Sequence, residues 1–327
     1  MNRILTTLAM AAALSGFSAG YAGPTVPVPF GSLLICDSAA GAVLLVDSIT
    51  GSQSILSSGN ALVAPSGIVI DSQGRIFVVD AGAASGTGAI IRIDLSSGLQ
   101  SIVSSGGLFS SPVGLTLGPD NRLYVADLNA AGGAGAIIRV DPDTGSQSFV
   151  SKNGLFVDPM GLAFEQSGSM VIVDRNAFGG AVLRVNPTTG AQSVVASGGL
   201  LVDPWGLCVA TDGSILVTDF EARSSKVVRV SAIGGVQSLL SLGGFMFSPW
   251  GIATSPSGEL IVVDQDALGS DELSNGAVIG VNPTSGSQRL LSSGDQLRDP
   301  AGIAVVSVAV TPTISTTWGK VKNRYRE

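Results

Sequence analysis

One unit, written six times, makes up the body of this 327-residue chain. A Pro-x-Gly tripeptide recurs at Pro65, Pro112, Pro159, Pro204, Pro249 and Pro300, at spacings of 45 to 51 residues. An apolar run ending in aspartate also occurs six times: LLICD at Asp37, IFVVD at Asp80, LYVAD at Asp127, MVIVD at Asp174, ILVTD at Asp219 and LIVVD at Asp264. A third run reads AVLLVD, AIIRID, AIIRVD, AVLRVN, KVVRVS and AVIGVN, and a fourth opens on Gln53, Gln100, Gln147, Gln192, Gln237 and Gln288. Units of this length cannot bury an apolar face alone, so neighbours have to stack.

Each unit holds four apolar stretches of five to seven residues, rich in β-branched side chains and without a helical period, which predicts four strands. The turns PDTG (142–145), PTTG (187–190) and PTSG (283–286) put glycine where a hairpin needs positive φ. Four antiparallel strands in six units predict an all-β fold, a six-bladed β-propeller. Blades pack on both faces, which accounts for a mean hydropathy of +0.46. The chain enters on a second strand (33–37) and finishes on an orphan first strand, Gly302–Val306. Pairing that strand with the N-terminal three closes the ring and removes two open sheet edges. The propeller is expected over residues 23–310.

The unit SPVGLTLGPDNRLYVADLNAAGGAGAIIRVDPDTG (111–145) resembles NHL repeats and the related six-bladed propellers, a superfamily that includes gluconolactonase- and regucalcin-like proteins. The resemblance runs over residues 30–307. It implies the architecture and leaves the activity open, because that superfamily holds binding modules, lactonases, lyases and scaffolds.

Two segments lie outside the repeats. Residues 1–22 carry Arg3, an apolar run over Ile4–Leu14 and small residues at Gly20 and Ala22, the layout of a secretory signal peptide. The expectation is an exported protein, periplasmic, extracellular or at the cell surface, with no transmembrane span. At the other end, 311–327 is a basic tail in which Lys320, Lys322, Arg324 and Arg326 outnumber Glu327. As a short helix it would align Trp318, Val321 and Tyr325 on one face. Trp318, Lys320, Lys322, Arg324 and Tyr325 are therefore candidate docking residues for a surface or export partner.

Histidine is absent from the chain, which excludes Ser-His-Asp, Cys-His and His-zinc chemistries. The formal charge of −7 argues against a nucleic-acid partner. Cys36 and Cys208 fall in small-residue positions of the repeat, placed on opposite sides of the ring, and are expected as free thiols. The six recurring aspartates are fold residues, each accepting amide hydrogen bonds of a glycine-rich turn. Function is sought where the copies differ.

The x of Pro-x-Gly is Ser66, Val113, Met160, Trp205, Trp250 and Ala301. Trp205 and Trp250 are expected side by side at the channel mouth, with Met160 and Phe247 beside them, as a binding site for a ligand or protein. The loop QDALGSDELSNG carries Asp266, Asp271 and Glu272, weak candidates for calcium because they lack the D-x-D-x-D-G spacing. No other cofactor is indicated. The expected function is a binding module without a conventional catalytic constellation. Two alternatives stay open: a divalent-metal-dependent, lactonase-like hydrolase at the channel, which the resemblance implies, and a structural surface or matrix protein. The resembling antibiotic lyases use a histidine that this chain lacks.

Overall fold

The computed structural model describes residues 28–221, 224–266 and 276–307. Within them are six four-stranded antiparallel sheets arranged as the blades of a ring. Blade 1 combines both ends of the described chain: β24 (Pro300–Val305) is innermost, followed by β1 (Leu33–Asp37), β2 (Ala42–Val46) and β3 (Gln53–Ser58). The other five blades run inner to outer in chain order. They start on β4 (Pro65–Ile70), β8 (Pro112–Leu117), β12 (Pro159–Phe164), β16 (Pro204–Val209) and β20 (Pro249–Thr254). The expected closure is present, its strand starting two residues before Gly302 and ending one before Val306, with Leu33 opposite Val305 and Asp37 opposite Pro300.

The core consists of six apolar layers, one between each pair of blades. Leu34, Cys36 and Val43 of blade 1 pack with Ile76, Val78 and Ile91 of blade 2, for example, and the sixth layer joins Leu33 and Ile35 to Ile261 and Val263. Every second strand is therefore buried along its whole length. A fully buried leucine or isoleucine contributes about 1.5–3 kcal/mol, so these strands are apolar on both faces because both faces are covered.

The Pro-x-Gly glycines set the width of the channel. A Cβ at Gly114 would lie 2.1 Å from the Met160 carbonyl oxygen, and one at Gly206 2.2 Å from that of Trp250. The inner strands approach backbone to backbone, and only glycine permits that spacing. The six aspartates behave as expected, though their main partners lie in the loop before the inner strand. Asp80 accepts from the amides of Val63 and Ala64 as well as Ala83, and Asp127 from Ser110, Ser111 and Ala130. These bonds fix two loops of each blade to one face, here called the upper face.

The recurring glutamines clamp blades together. Gln147 donates to Ser104 Oγ and the Gly106 carbonyl and accepts from the Leu108 amide, all in the preceding blade, while Ser104 Oγ donates to the Gly145 carbonyl. The arginines of the third strand also reach the next blade: Arg184 holds Glu165 and the Ala232 carbonyl, and Arg229 the Pro283 carbonyl. Cys36 and Cys208 are free, as expected, but their placement differs. They stand in blades 1 and 5, separated by blade 6 alone, because the closing strand puts Cys36 in the blade next to the last one. Burial pushes both thiols up, that of Cys208 to about 11, so neither is a ready nucleophile. No helix among the described residues is long and apolar enough to cross a membrane.

Candidate functional site

The upper face is uniform in backbone and uneven in side chains. Trp205 on β16 and Trp250 on β20 occupy x positions of neighbouring blades, their ring centroids 3.9 Å apart and their planes tilted by 33°. Arg175, which follows the strand-end Asp174 of blade 4, lies over Trp205 with its guanidinium carbon 3.9 Å from the ring centroid. Asp203 fixes the arginine through a 2.6 Å Nε–Oδ1 hydrogen bond and a second at 3.3 Å. Blade order puts Arg175 on one side of Trp205 and Trp250 on the other, so Trp205 is sandwiched. The Thr218 hydroxyl donates to the Trp250 carbonyl at 2.5 Å, pinning the second ring from its main chain. Both tryptophans are half-buried.

Blade 5 departs from the repeat again at Lys226, where five other copies have alanine. The residue is 4% exposed, and its ammonium lies 3.3 Å from Asp219 and 2.5 Å from Glu221. Asp219 Oδ1 accepts no hydrogen bond, so the lysine charge replaces the amide that serves the equivalent oxygen in other blades. Burial holds the Asp219 carboxyl above its ordinary value despite that partner.

Around the mouth runs a broken ring of exposed apolar side chains two residues before each proline: Val63, Val157, Val202 and Phe247. Their amides bind the buried aspartates below, as Phe247 binds Asp264 at 2.8 Å, so the side chains point away from the core. Phe178, at positive φ on the loop after Asp174, adds a further exposed ring. Met160 is placed differently from Trp205 and Trp250. It lines the channel but is 4% exposed and packs in the layer between blades 4 and 5, which leaves it as support for the stack.

The channel below the stack encloses about 100 Å³. Its lining comes from the six inner strands and contains no ionisable side chain. Of the three candidate calcium ligands, Asp266 is described and exposed, while Asp271 and Glu272 lie outside the described residues. No group of three or more acidic or cysteine side chains that could hold a metal occurs among the described residues. Trp318, Lys320, Lys322, Arg324 and Tyr325 also lie outside them, as does the segment 1–22.

Arg175, Asp203, Thr218 and Lys226 escape a reading of the repeats in isolation. Aligning the copies column by column exposes three of them. Arg175 is the one cation after a strand-end aspartate, where the others have Ser38, Ala81, Leu128, Phe220 and Gln265. Thr218 and Lys226 are likewise the odd members of apolar columns.

The fold is that of a six-bladed β-propeller. Similar solved structures include the nidogen/laminin complex, at 16% identity over 85% of this chain and 99% of that one, with a TM-score of 0.68. Virginiamycin B lyase from Staphylococcus aureus matches at 14% identity over 85% and 88%, with a TM-score of 0.57. A protein assigned as TolB from Agrobacterium tumefaciens matches at 16% identity over 84% and 91%, with a TM-score of 0.60. These likenesses agree with the NHL-like architecture expected from the repeats and bear on the fold alone. No protein-family model matches the sequence, and no curated protein matches it significantly.

Proposed function

We propose that this chain is an exported binding module that engages a protein partner through the upper face of blades 4 to 6. The observation that carries this reading is the Arg175–Trp205–Trp250 stack above so narrow a channel. Sites for small-molecule ligands usually enclose roughly 300–1,000 Å³, several times the volume here. A face with two tryptophans, an arginine and exposed Val157, Val202, Phe178 and Phe247 suits a protein surface, where Trp and Arg dominate binding energy. Nidogen, whose propeller was solved in complex with laminin, offers a precedent for the fold.

The hydrolase alternative finds less support in the donor set. A channel lined by Ser66, glycine and apolar residues offers a divalent ion no carboxylate. Glu165, Glu221 and Glu259 are each committed to an ion pair with Arg184, Lys226 and Arg289. Export rests on the layout of residues 1–22. Both ends of the described chain leave at the lower end of blade 1, where the Val306 amide donates to the Ser32 carbonyl.

Capture of partners from the envelope and secreted fractions, compared between wild type and the Trp205→Ala/Trp250→Ala variant, tests the module. The wild type is expected to retain a partner that the variant loses. Identical capture, or turnover of a lactone panel stimulated by divalent ions, would overturn it.

A further inference from the structure

Trp205 is covered on both sides, by Arg175 and by Trp250. Trp250 is covered by Trp205 on one side, and its other side faces blade 1, where the x position is the small Ala301 and, one blade on, Ser66. The channel volume of about 100 Å³ lies among these residues. It is comparable to the roughly 150 Å³ cavity that takes up a single benzene ring, so it admits one side-chain head group and little more.

The covered ring shows what such a face holds. Arg175 comes from the preceding blade's loop, stacks on Trp205, and is neutralised by Asp203, the residue before Pro204. On the open side of Trp250 the residue before Pro300 is also an aspartate, Asp299, while the loop residue facing it is Gln265 instead of an arginine. Asp266 stands beside it. Neither Asp266 nor Asp299 joins an ion pair among the described residues, and the exposed Arg298 pairs with neither. Burial holds the Asp299 carboxyl above its ordinary value, and the charges of Asp37 and Asp266 add to that, although Ser38 Oγ donates to it. Among the described residues this sector carries carboxylates and an aromatic face with no cation paired to them.

Building on the binding-module reading, we propose that the open face of Trp250 receives an arginine side chain of the partner, with Asp266 and Asp299 as counter-charges. The guanidinium stacks on the indole as Arg175 does on Trp205, and its N–H groups donate to the two carboxylates. Lysine would fit less well, since an ammonium cannot stack as a plane.

Tryptophan fluorescence and calorimetry on the full chain with Nα-acetyl-arginine amide, Nα-acetyl-citrulline amide and Nα-acetyl-leucine amide test this on the unaltered protein. Citrulline keeps the shape of arginine without its charge. Arginine amide is expected to bind saturably, with citrulline amide about tenfold weaker, in keeping with one cation–π contact plus paired carboxylates. Asp266→Asn/Asp299→Asn, at exposed and half-buried positions, should weaken arginine binding about fivefold or more and flatten its salt dependence. Equal binding of citrulline or leucine amide, or no saturation of arginine amide up to its solubility limit, would overturn the proposal. If partner capture still depends on Trp205 and Trp250 while arginine amide fails to bind, the module stands and this inference falls. If arginine amide binds but capture is indifferent to the tryptophans, the cation site stands and the module reading falls.

Discussion

Leu33 and Val305 are Cα partners across the one sheet built from both ends of the described chain. The ring therefore depends on a strand made last. Removing residues 302–327 takes away most of β24, with the half-buried Ile303 and Val305 and the fully buried Val306, and a side chain of this size contributes about 1.5–3 kcal/mol when fully buried and less when half-buried. It also opens the edge of β1 and frees the inner strands of blades 2 and 6 on that side. The truncation is expected to lower stability by about 5 kcal/mol or more, whereas removal of 312–327 leaves the melting temperature unchanged. Calorimetry on the two truncations checks this, and equal melting temperatures would refute closure through β24.

Trp205→Ala and Trp250→Ala are expected to cost about 1–3 kcal/mol each, less than a fully buried tryptophan, because both rings are half-buried. The two losses should fall short of additive, since each ring packs on the other. A double-mutant cycle in urea measures the coupling. Losses well above 3 kcal/mol with unimpaired partner capture would make the rings core and dismiss the upper face as a site.

How much of this was legible in the sequence follows from what repeats. Pro-x-Gly, the aspartates and the hairpin glycines each recur six times, and a constraint imposed by the backbone in every blade leaves that trace. The glutamines recur as faithfully, yet their role lies between blades: Gln147 meets Ser104, Gly106 and Leu108, residues about forty positions away in sequence that only the packing of one blade on the next brings together. The tryptophan pair was legible as two large residues in one column. Its cationic neighbour was less so, because Arg175 and Trp205 belong to different blades and neither position recurs. Met160 looked like their peer, but its longer, flexible side chain turns down into the layer between blades 4 and 5, where there is apolar space to fill.

Five of the six blade seams carry a serine hydroxyl that bridges the glutamine and the glycine carbonyl of the next blade, as Ser57, Ser104, Ser151, Ser241 and Ser292 do. The seam between blades 4 and 5 has Ala196 there, and Gln237 binds backbone carbonyls alone on its donor side. Ala196→Ser supplies the missing hydroxyl between partners already in position. It should stabilise the protein by about 0.5–1.5 kcal/mol and raise the melting temperature by roughly 1–4 °C. A loss of stability would show that this seam is packed differently from the other five.

Deleting residues 312–327 removes a net charge of +3 from a chain of −7. The propeller should fold unchanged, because the ring closes by Val306. Localisation or partner binding should change if the tail docks as proposed. Fractionation and pull-downs of the truncated and full chains decide it, and unchanged results would remove the docking role.

Burial raises the Asp264 carboxyl to about 6, against three amide hydrogen bonds that pull it down, and the neighbouring charge of Asp266 raises it further. A carboxyl that binds its proton more tightly when folded stabilises the fold in its neutral form. That contribution is complete below about pH 4, the unfolded value, and is lost as pH rises through about 6. Carboxylates held low by hydrogen bonds from nearby turns, such as Asp47, Asp94, Asp141 and Asp212, act in the opposite sense at more acid pH. The whole-protein profile mixes the two, so the difference between wild type and Asp266→Asn reports the carboxyls that the Asp266 charge holds up, Asp264 and with it Asp299. Without the Asp266 charge the Asp264 carboxyl moves down toward its ordinary range, and the protein should gain stability at pH 7. A gain of about 1 kcal/mol is expected there, from a shift of under one pH unit, fading to nothing by pH 4. Denaturant melts of both proteins at pH 4, 5, 6 and 7 provide the measurement. A gain that is the same at all four values would mean that Asp266 acts through its loop and not through the charges of Asp264 and Asp299.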